Sequence, residues 1–127
     1  VPGRQPLLTG LGLCLLAARA TGKVILDGVY NDIKDDAGFL AECRQGKEMG
    51  FDGKTLIHPS QLDPCNEVFA PSEDEVASAR EIIAAFEEAE REGRGVVTVN
   101  GRMIENLHVD QARQTLAQAE AITALQS

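Results

Sequence analysis

The alternation of helical segments with short apolar segments is the feature that most constrains the fold of this chain. Residues 6–20 predict a helix that is apolar on nearly all sides, and residues 24–30 begin with an apolar run typical of a strand buried on both faces. Residues 37–49 predict a second helix, and residues 54–58 predict a second short strand, which Pro59 stops. Helix and strand in alternation, with short connections, predict parallel β/α units.

These units need a covering surface, because two strands cannot bury themselves. The chain has 127 residues, whereas a complete eight-unit β/α barrel needs roughly 200 or more. The stretch from Arg4 to Ala20 could pass for a cleaved secretory leader, but the sequence after it continues as α/β protein, which favours a buried helix. Its apolar run is also shorter than the roughly 20 residues that a membrane span requires.

A change of architecture follows residues 64–71, which predict an irregular connection. Ser72 and Glu75 match a capping box and predict the start of a long acidic helix, which Gly93 ends. The helix is amphipathic, so its acidic side chains are expected to lie in water.

A hairpin and a last helix complete the prediction for the second half. Asn100 and Gly101 separate two short apolar runs, a strong hairpin signal because both central positions need positive φ. A final helix is predicted over residues 109–125. The chain is therefore divided into terminal β/α units over residues 1–70 and a helix–hairpin–helix subdomain over residues 71–127.

Charge and cysteine content restrict the partners and the compartment. Twenty acidic and 12 basic side chains give a formal net charge of -8. A polyanionic surface argues against nucleic acid and anionic membranes as partners. Cys14, Cys43 and Cys65 form no CxxC pair, and they are predicted to be buried, reduced thiols of a cytosolic protein.

Two loops that follow the predicted strands are the places where chemistry could lie, because parallel strands gather such loops at one edge. Residues 27–36 are rich in Asp and could offer oxygen ligands to Mg²⁺ or Ca²⁺, but helix capping by Asp35 or Asp36 is the favoured interpretation, and no metal is assigned there. Residues 57–61 contain His58, a possible base, metal ligand or structural residue. With no second His or nucleophile nearby, the structural role is favoured.

Five short segments carry a resemblance to a known family. They are Ile25-Leu26-Asp27-Gly28-Val29-Tyr30, Gly50-Phe51-Asp52-Gly53-Lys54, Ile57-His58-Pro59-Ser60-Gln61, Phe69-Ala70-Pro71-Ser72 and Asn100-Gly101-Arg102-Met103-Ile104. Together they resemble the citrate lyase beta subunit-like and malyl-CoA (citramalyl-CoA) lyase family, from Leu7 onward. The resemblance implies an α/β fold: the C-terminal part of a (β/α)8 TIM barrel, with its last two strands, followed by a lid subdomain.

For the parent enzyme, the resemblance implies Mg²⁺-dependent cleavage of a 3-hydroxyacyl-CoA, of malyl-CoA or citramalyl-CoA type, to acetyl-CoA and a 2-oxo acid. It implies that Ile57, His58 and Pro59 border the CoA site. It also implies that Glu105, at the position of a lid carboxylate that is usually Asp, is catalytic in a neighbouring subunit of a cytoplasmic homo-oligomer, a trimer or hexamer. A surface Glu after a hairpin is the alternative interpretation of Glu105.

The same resemblance implies what this chain lacks. The family's Mg²⁺ carboxylates and substrate arginine belong to earlier barrel strands, so the chain alone is expected to be incomplete as an enzyme. A non-catalytic binding or assembly module, which docks on a partner chain through its apolar helix, is the alternative function. A small secreted protein with a cleaved leader is a third possibility.

Overall fold

Five α-helices and four short strands make up the computed structural model, which describes residues 1–127. The chain forms two units, Val1–Phe69 and Ala70–Ser127. The first contains a 3-10 segment (Pro2–Leu7), α1 (Leu8–Ala20), β1 (Leu26–Asp27), α2 (Asp36–Met49), β2 (Gly53–Lys54), a 3-10 turn (Pro59–Gln61) and α3 (Leu62–Phe69). The second contains α4 (Glu73–Arg91), β3 (Val97–Val99), β4 (Arg102–Ile104) and α5 (Asn106–Gln126).

Strands β1 and β2 are parallel, as the alternation predicts, with Asp27 opposite Lys54. Both strands are shorter than predicted. Backbone hydrogen bonds extend the pairing by one residue at each end, from Asp52 N–H to the Ile25 carbonyl (2.9 Å) and from Thr55 N–H to the Asp27 carbonyl (3.0 Å). No other strand joins this two-stranded sheet.

The core of the first unit lies between α2 and α3. Phe39, Cys43 and Cys65 are its buried centre, and Tyr30 packs on Phe39 with ring centroids 6.0 Å apart. Burial raises the pKa of the Cys43 thiol to about 12, so this thiol stays protonated and serves as a small apolar group.

Helix α3 corrects the prediction of an irregular connection over residues 64–71. Pro64 lies in the first turn of α3, where a backbone N–H has no partner within the helix, so proline is tolerated there. Asp63 in the same turn is favourable at the positive end of the helix dipole. Proline at this position is therefore compatible with the beginning of a helix.

Helix α1 is only partly covered within the chain. Leu15 and Ala18 are buried, but Leu13 and Leu16 are 62% and 69% exposed. Cys14 is exposed as well, which corrects its prediction as a buried thiol, because no other element of the first unit covers that side of α1. No helix has the length and apolar character needed to cross a membrane.

The second unit pairs α4 with α5 and adds the predicted hairpin. The capping box at the start of α4 is formed, with Ser72 and Glu75 joined by two hydrogen bonds of 3.1 Å. Asn100 and Gly101 have φ of 50° and 77°, the geometry that a two-residue hairpin needs. Buried residues of both helices form the core: Ala79, Ala89, Val109 and Ala112.

Gly46 on α2 packs against the side chain of Asp27 on β1, and its replacement by alanine is expected to destabilise the first unit. A Cβ at this position would lie 2.8 Å from Asp27 Oδ2. Although alanine is the better helix former, overpacking should lower the free energy of unfolding by about 1–3 kcal/mol. Tyr30 is the only tyrosine and the chain has no tryptophan, so its fluorescence during urea unfolding reports on this unit.

The matched control is Gly12→Ala on α1, where an added Cβ would meet nothing within 4 Å. This variant should be as stable as the original chain or more stable by up to about 1 kcal/mol. A Gly46→Ala chain that gained stability as the control does would show that α2 and β1 are not in close contact.

Candidate functional site

Two loops meet at the carboxyl ends of β1 and β2, and Gln61 joins them. Its Oε1 accepts a hydrogen bond from Ile57 N–H (3.1 Å), and its Nε2 donates to the Tyr30 carbonyl (3.1 Å). Gln61 is only 3% exposed. The loop after β2 is therefore tied to the loop after β1, which is the arrangement predicted for parallel strands.

Ile57, His58 and Pro59 form one exposed edge in the second of these loops. His58 caps the 3-10 turn: its Nδ1 accepts from Ser60 N–H (3.2 Å) and lies 2.8 Å from Ser60 Oγ. The cap occupies Nδ1 and leaves Nε2 as the ring atom available to a ligand. His58 thus has a structural role as the cap of this turn, and a structural role is the interpretation that the sequence favours.

The acidic side chains of the first loop are engaged in local contacts. Asp35 is the N-cap of α2: Oδ1 accepts from Gly38 N–H (3.0 Å), and Oδ2 accepts from the Tyr30 hydroxyl (2.7 Å). This hydrogen bond lowers the pKa of Asp35 and, with burial, raises the pKa of Tyr30 to about 12. Asp32 accepts from Lys34 N–H (3.2 Å). No three His, Cys, Asp or Glu side chains are placed to hold a metal ion.

A cluster of four charged residues lies on the α2 side of the strands; we call Arg4, Asp27, Glu42 and Lys54 the ionic cluster. Lys54 Nζ lies 2.6 Å from Glu42 Oε2 and 3.4 Å from Asp27 Oδ2. Arg4 Nη1 lies 2.7 Å from Asp27 Oδ1, and Arg4 Nε lies 3.1 Å from Glu42 Oε1. Two cations and two anions balance, as buried charges require.

Asp27 is the anion at the centre of the ionic cluster and is 1% exposed. Burial acts to raise the pKa of its carboxyl group, but the Arg4 hydrogen bond and the charge of Lys54 outweigh burial and lower this pKa. Asp27 is therefore ionised at neutral pH. Arg4 Nη2 is buried and has no hydrogen-bond partner.

Glu105 lies in the second unit, between β4 and α5. It occupies the N-cap position of α5, where its backbone N–H donates to His108 Nδ1 (2.9 Å), so His108 is a cap residue. Glu105 is exposed and lines a cavity of about 300 Å³ together with Phe86, Arg94 and Met103.

The predicted site residues thus fall into two groups. Ile57, His58 and Pro59 lie together in the first unit, and Glu105 lies in the second. The sequence pattern did not single out Gln61 or the ionic cluster. Opposite charges, Asp27 and Lys54, on two short strands were the available signal for the cluster.

The parallel β1–β2 pair, its flanking helices and the loops at its carboxyl edge define an α/β protein built of β/α units. The chain belongs to the family described as C-C_Bond_Lyase of the TIM-Barrel fold, whose model matches residues 12–123. The TIM-barrel relationship implied by the sequence motifs is confirmed.

Comparison with individual proteins places the chain among the citrate lyase beta-like members of this family. The chain is 64% identical to a (3S)-malyl-CoA thioesterase of Cereibacter sphaeroides, an alignment that covers 97% of this chain and 43% of that protein. It is 46% identical to the citrate lyase subunit beta of Escherichia coli, over 84% of this chain and 35% of that protein. The chain spans less than half the length of these relatives.

Solved structures agree with this placement. CitE from Mycobacterium tuberculosis, in complex with magnesium, acetoacetate and coenzyme A, is 36% identical with a TM-score of 0.66, covering 84% of this chain and 38% of that one. A citrate lyase from Burkholderia xenovorans has a TM-score of 0.72 at 24% identity, covering 94% and 37% of the two chains, and shows the fold.

Proposed function

We propose that this chain is the C-terminal portion of a lyase that cleaves a 3-hydroxyacyl-CoA, of malyl-CoA or citramalyl-CoA type, to acetyl-CoA and a 2-oxo acid. Residues 1–70 supply the last two strands of a (β/α)8 barrel, and residues 71–127 supply its lid. The observation that carries the proposal is the 64% identity, over 97% of the chain, to a protein named for malyl-CoA and more than twice as long.

The exposed apolar surface of the first unit supports the barrel part of this proposal. Leu26 on β1 is exposed, and so are Leu13 and Leu16 on α1. The opposite side of the strands, against α2, is closed by the ionic cluster. A strand that is covered on one side only, beside an uncovered apolar helix, fits a barrel whose other strands lie next to it.

The edge formed by Ile57, His58 and Pro59 is proposed to border the CoA. Its exposed side chains and backbone groups lie at the carboxyl ends of parallel strands, the side of a TIM barrel where ligands bind. His58 Nε2 and the backbone supply the polar contacts, and Ile57 supplies apolar surface. The complex of CitE with coenzyme A supports an acyl-CoA ligand.

Glu105 is proposed as the catalytic carboxylate of the lid, acting in a neighbouring subunit of a homo-oligomer. In the reaction, the 3-hydroxyl loses its proton, and the bond between C2 and C3 breaks to give the 2-oxo acid. The electron pair of that bond forms the thioester enolate, which is protonated at C2 to give acetyl-CoA. A carboxylate within hydrogen-bond reach accepts the hydroxyl proton.

Dependence on Mg²⁺ is proposed for the complete enzyme, and the magnesium in the CitE complex supports it. The metal ligands are proposed to lie on earlier barrel strands, as the resemblance to the family implies.

The test compares the complete protein, which includes the earlier barrel strands, with the chain of residues 1–127. With malyl-CoA or citramalyl-CoA and Mg²⁺, the complete protein is expected to form acetyl-CoA and a 2-oxo acid, and the chain alone is expected to form neither. Cleavage by the chain alone would refute the proposed incompleteness. A complete protein that cleaves neither substrate would refute the lyase proposal.

Thioester hydrolysis is a second candidate, favoured by the name of the malyl-CoA thioesterase relative. The same assay separates the two reactions, because hydrolysis releases free CoA and malate, whereas carbon–carbon cleavage releases acetyl-CoA. A thiol reagent detects free CoA directly.

The alternative of a non-catalytic assembly module is favoured by the exposed side of α1. Size-exclusion chromatography of the chain tests it. A module of this kind should form a stable complex with a partner chain, and a well-behaved monomer would count against it.

A further inference from the structure

We infer that Gln61 is the positioning residue of the acyl-CoA edge: its buried carboxamide holds the backbone of Ile57 in place for the ligand. The inference rests on the proposed function, because it explains how the edge that the proposal places beside CoA is held in position. Gln61 itself is buried and contacts the ligand only through the loop that it holds.

The contacts of Gln61 satisfy both ends of its carboxamide. Oε1 faces the N–H of Ile57 and Nε2 faces the carbonyl of Tyr30, each at 3.1 Å. The backbone N–H of Gln61 also donates to the His58 carbonyl (3.0 Å). One residue therefore holds two points of the exposed edge while it is itself shielded from water.

Only an amide satisfies this pair of partners. Glutamate would place a carboxylate oxygen against the Tyr30 carbonyl, and methionine, although similar in length, offers neither the acceptor nor the donor. Rotating the carboxamide by half a turn would place a donor against the Ile57 N–H, so the orientation is determined by its partners.

The Tyr30 carbonyl is held in position by the contacts of the Tyr30 side chain. The Tyr30 hydroxyl donates to Asp35 (2.7 Å), the N-cap of α2, and its ring packs on Phe39 in the core. A continuous series of contacts thus runs from α2 through Tyr30 and Gln61 to Ile57. The edge is positioned by the core of the unit as well as by the strand that precedes it.

Loss of this contact should affect binding more than chemistry, because the proposed edge borders CoA. In the complete protein, Gln61→Met and Gln61→Glu are both expected to raise KM for the acyl-CoA, roughly tenfold, with kcat within about twofold of the wild type. Gln5→Met, at an exposed glutamine of the same unit, is the control and should leave both constants unchanged.

Hydrogen exchange of the Ile57 amide supplies a second measurement that does not depend on turnover. In Gln61→Met this amide should exchange faster than in the wild type by tenfold or more, while amides in the middle of α2 keep their protection. If Gln61→Met does not fold, the near-isosteric Gln61→Glu variant and its KM carry the test.

Three outcomes separate this inference from the proposed function. Wild-type protein without acyl-CoA turnover refutes the proposed function. Wild-type turnover together with folded variants that keep the original KM refutes the inference alone. An unchanged exchange rate at Ile57 in Gln61→Met also refutes it, because the carboxamide would then not hold that amide.

Discussion

Replacing Lys54 by methionine is expected to lower the free energy of unfolding of the first unit by about 3 kcal/mol. The side chain of Lys54 is fully buried, with its Nζ 2.6 Å from Glu42 and 3.4 Å from Asp27. Methionine fills similar space without the charge, so two carboxylates would share Arg4 as their one remaining cation in the ionic cluster. Tyr30 fluorescence during urea unfolding measures the change.

Lys23→Met is the matched control, because Lys23 is an exposed lysine of the same unit. Its effect should lie within about 0.5 kcal/mol of zero. A loss below about 1 kcal/mol in Lys54→Met, no larger than for a surface ion pair, would contradict the structural importance of the ionic cluster.

The pH dependence of stability provides a further measurement on the same variant. The pKa of Asp27 is lowered in the folded chain, so its contribution to stability is present above the unfolded value of about 3.9. That contribution is lost as pH falls through the folded pKa. Without Lys54 the folded pKa of Asp27 should rise, and this contribution should be lost at a higher pH.

In the complete enzyme, Glu105→Gln is expected to reduce kcat by about 10²–10⁴-fold while KM changes little. Glutamine keeps the length and hydrogen-bonding shape of the side chain but cannot accept a proton at neutral pH. The capping box of Glu105 and His108 should persist, because glutamine keeps a side-chain acceptor oxygen and the backbone N–H that donates to His108 Nδ1 is unchanged. Steady-state kinetics with the acyl-CoA substrate measures the effect.

Glu88→Gln, an exposed glutamate on α4, serves as the control and should leave turnover unchanged. Thermal unfolding of both variants shows whether the second unit remains folded. An unchanged kcat in a folded Glu105→Gln enzyme would return Glu105 to the surface-residue interpretation.

The helices and the hairpin could be predicted because their signals are local. The capping box at Ser72 and the pair Asn100 and Gly101 specify backbone geometry through neighbouring atoms alone, and both are formed as expected. Helix α3 shows a limit of such local signals. Pro64 suits either a connection or the first turn of a helix, and packing of Cys65 into the core favours the helix.

In the candidate site, too, some features follow from local sequence signals and others depend on tertiary packing. The sequence motif located Ile57, His58 and Pro59, and the cap formed by His58 and Ser60 is local. The contact of Gln61 with Tyr30 joins residues 31 positions apart, so no sequence spacing indicates it. The roles of Glu105 and of the CoA edge stay predictions that the kinetic experiments test.

The sequence by itself determined that this chain forms parallel β/α units followed by a helix–hairpin–helix segment, because apolar periodicity, caps and turns act within a few residues. Only the tertiary structure decided which face of the strands is closed. Asp27 and Lys54 are opposite neighbours in the sheet, and Glu42 on α2 and Arg4 complete the balance of two anions and two cations. Buried charges must be paired in space, and that pairing depends on distances that exist only after α2 has packed against the strands.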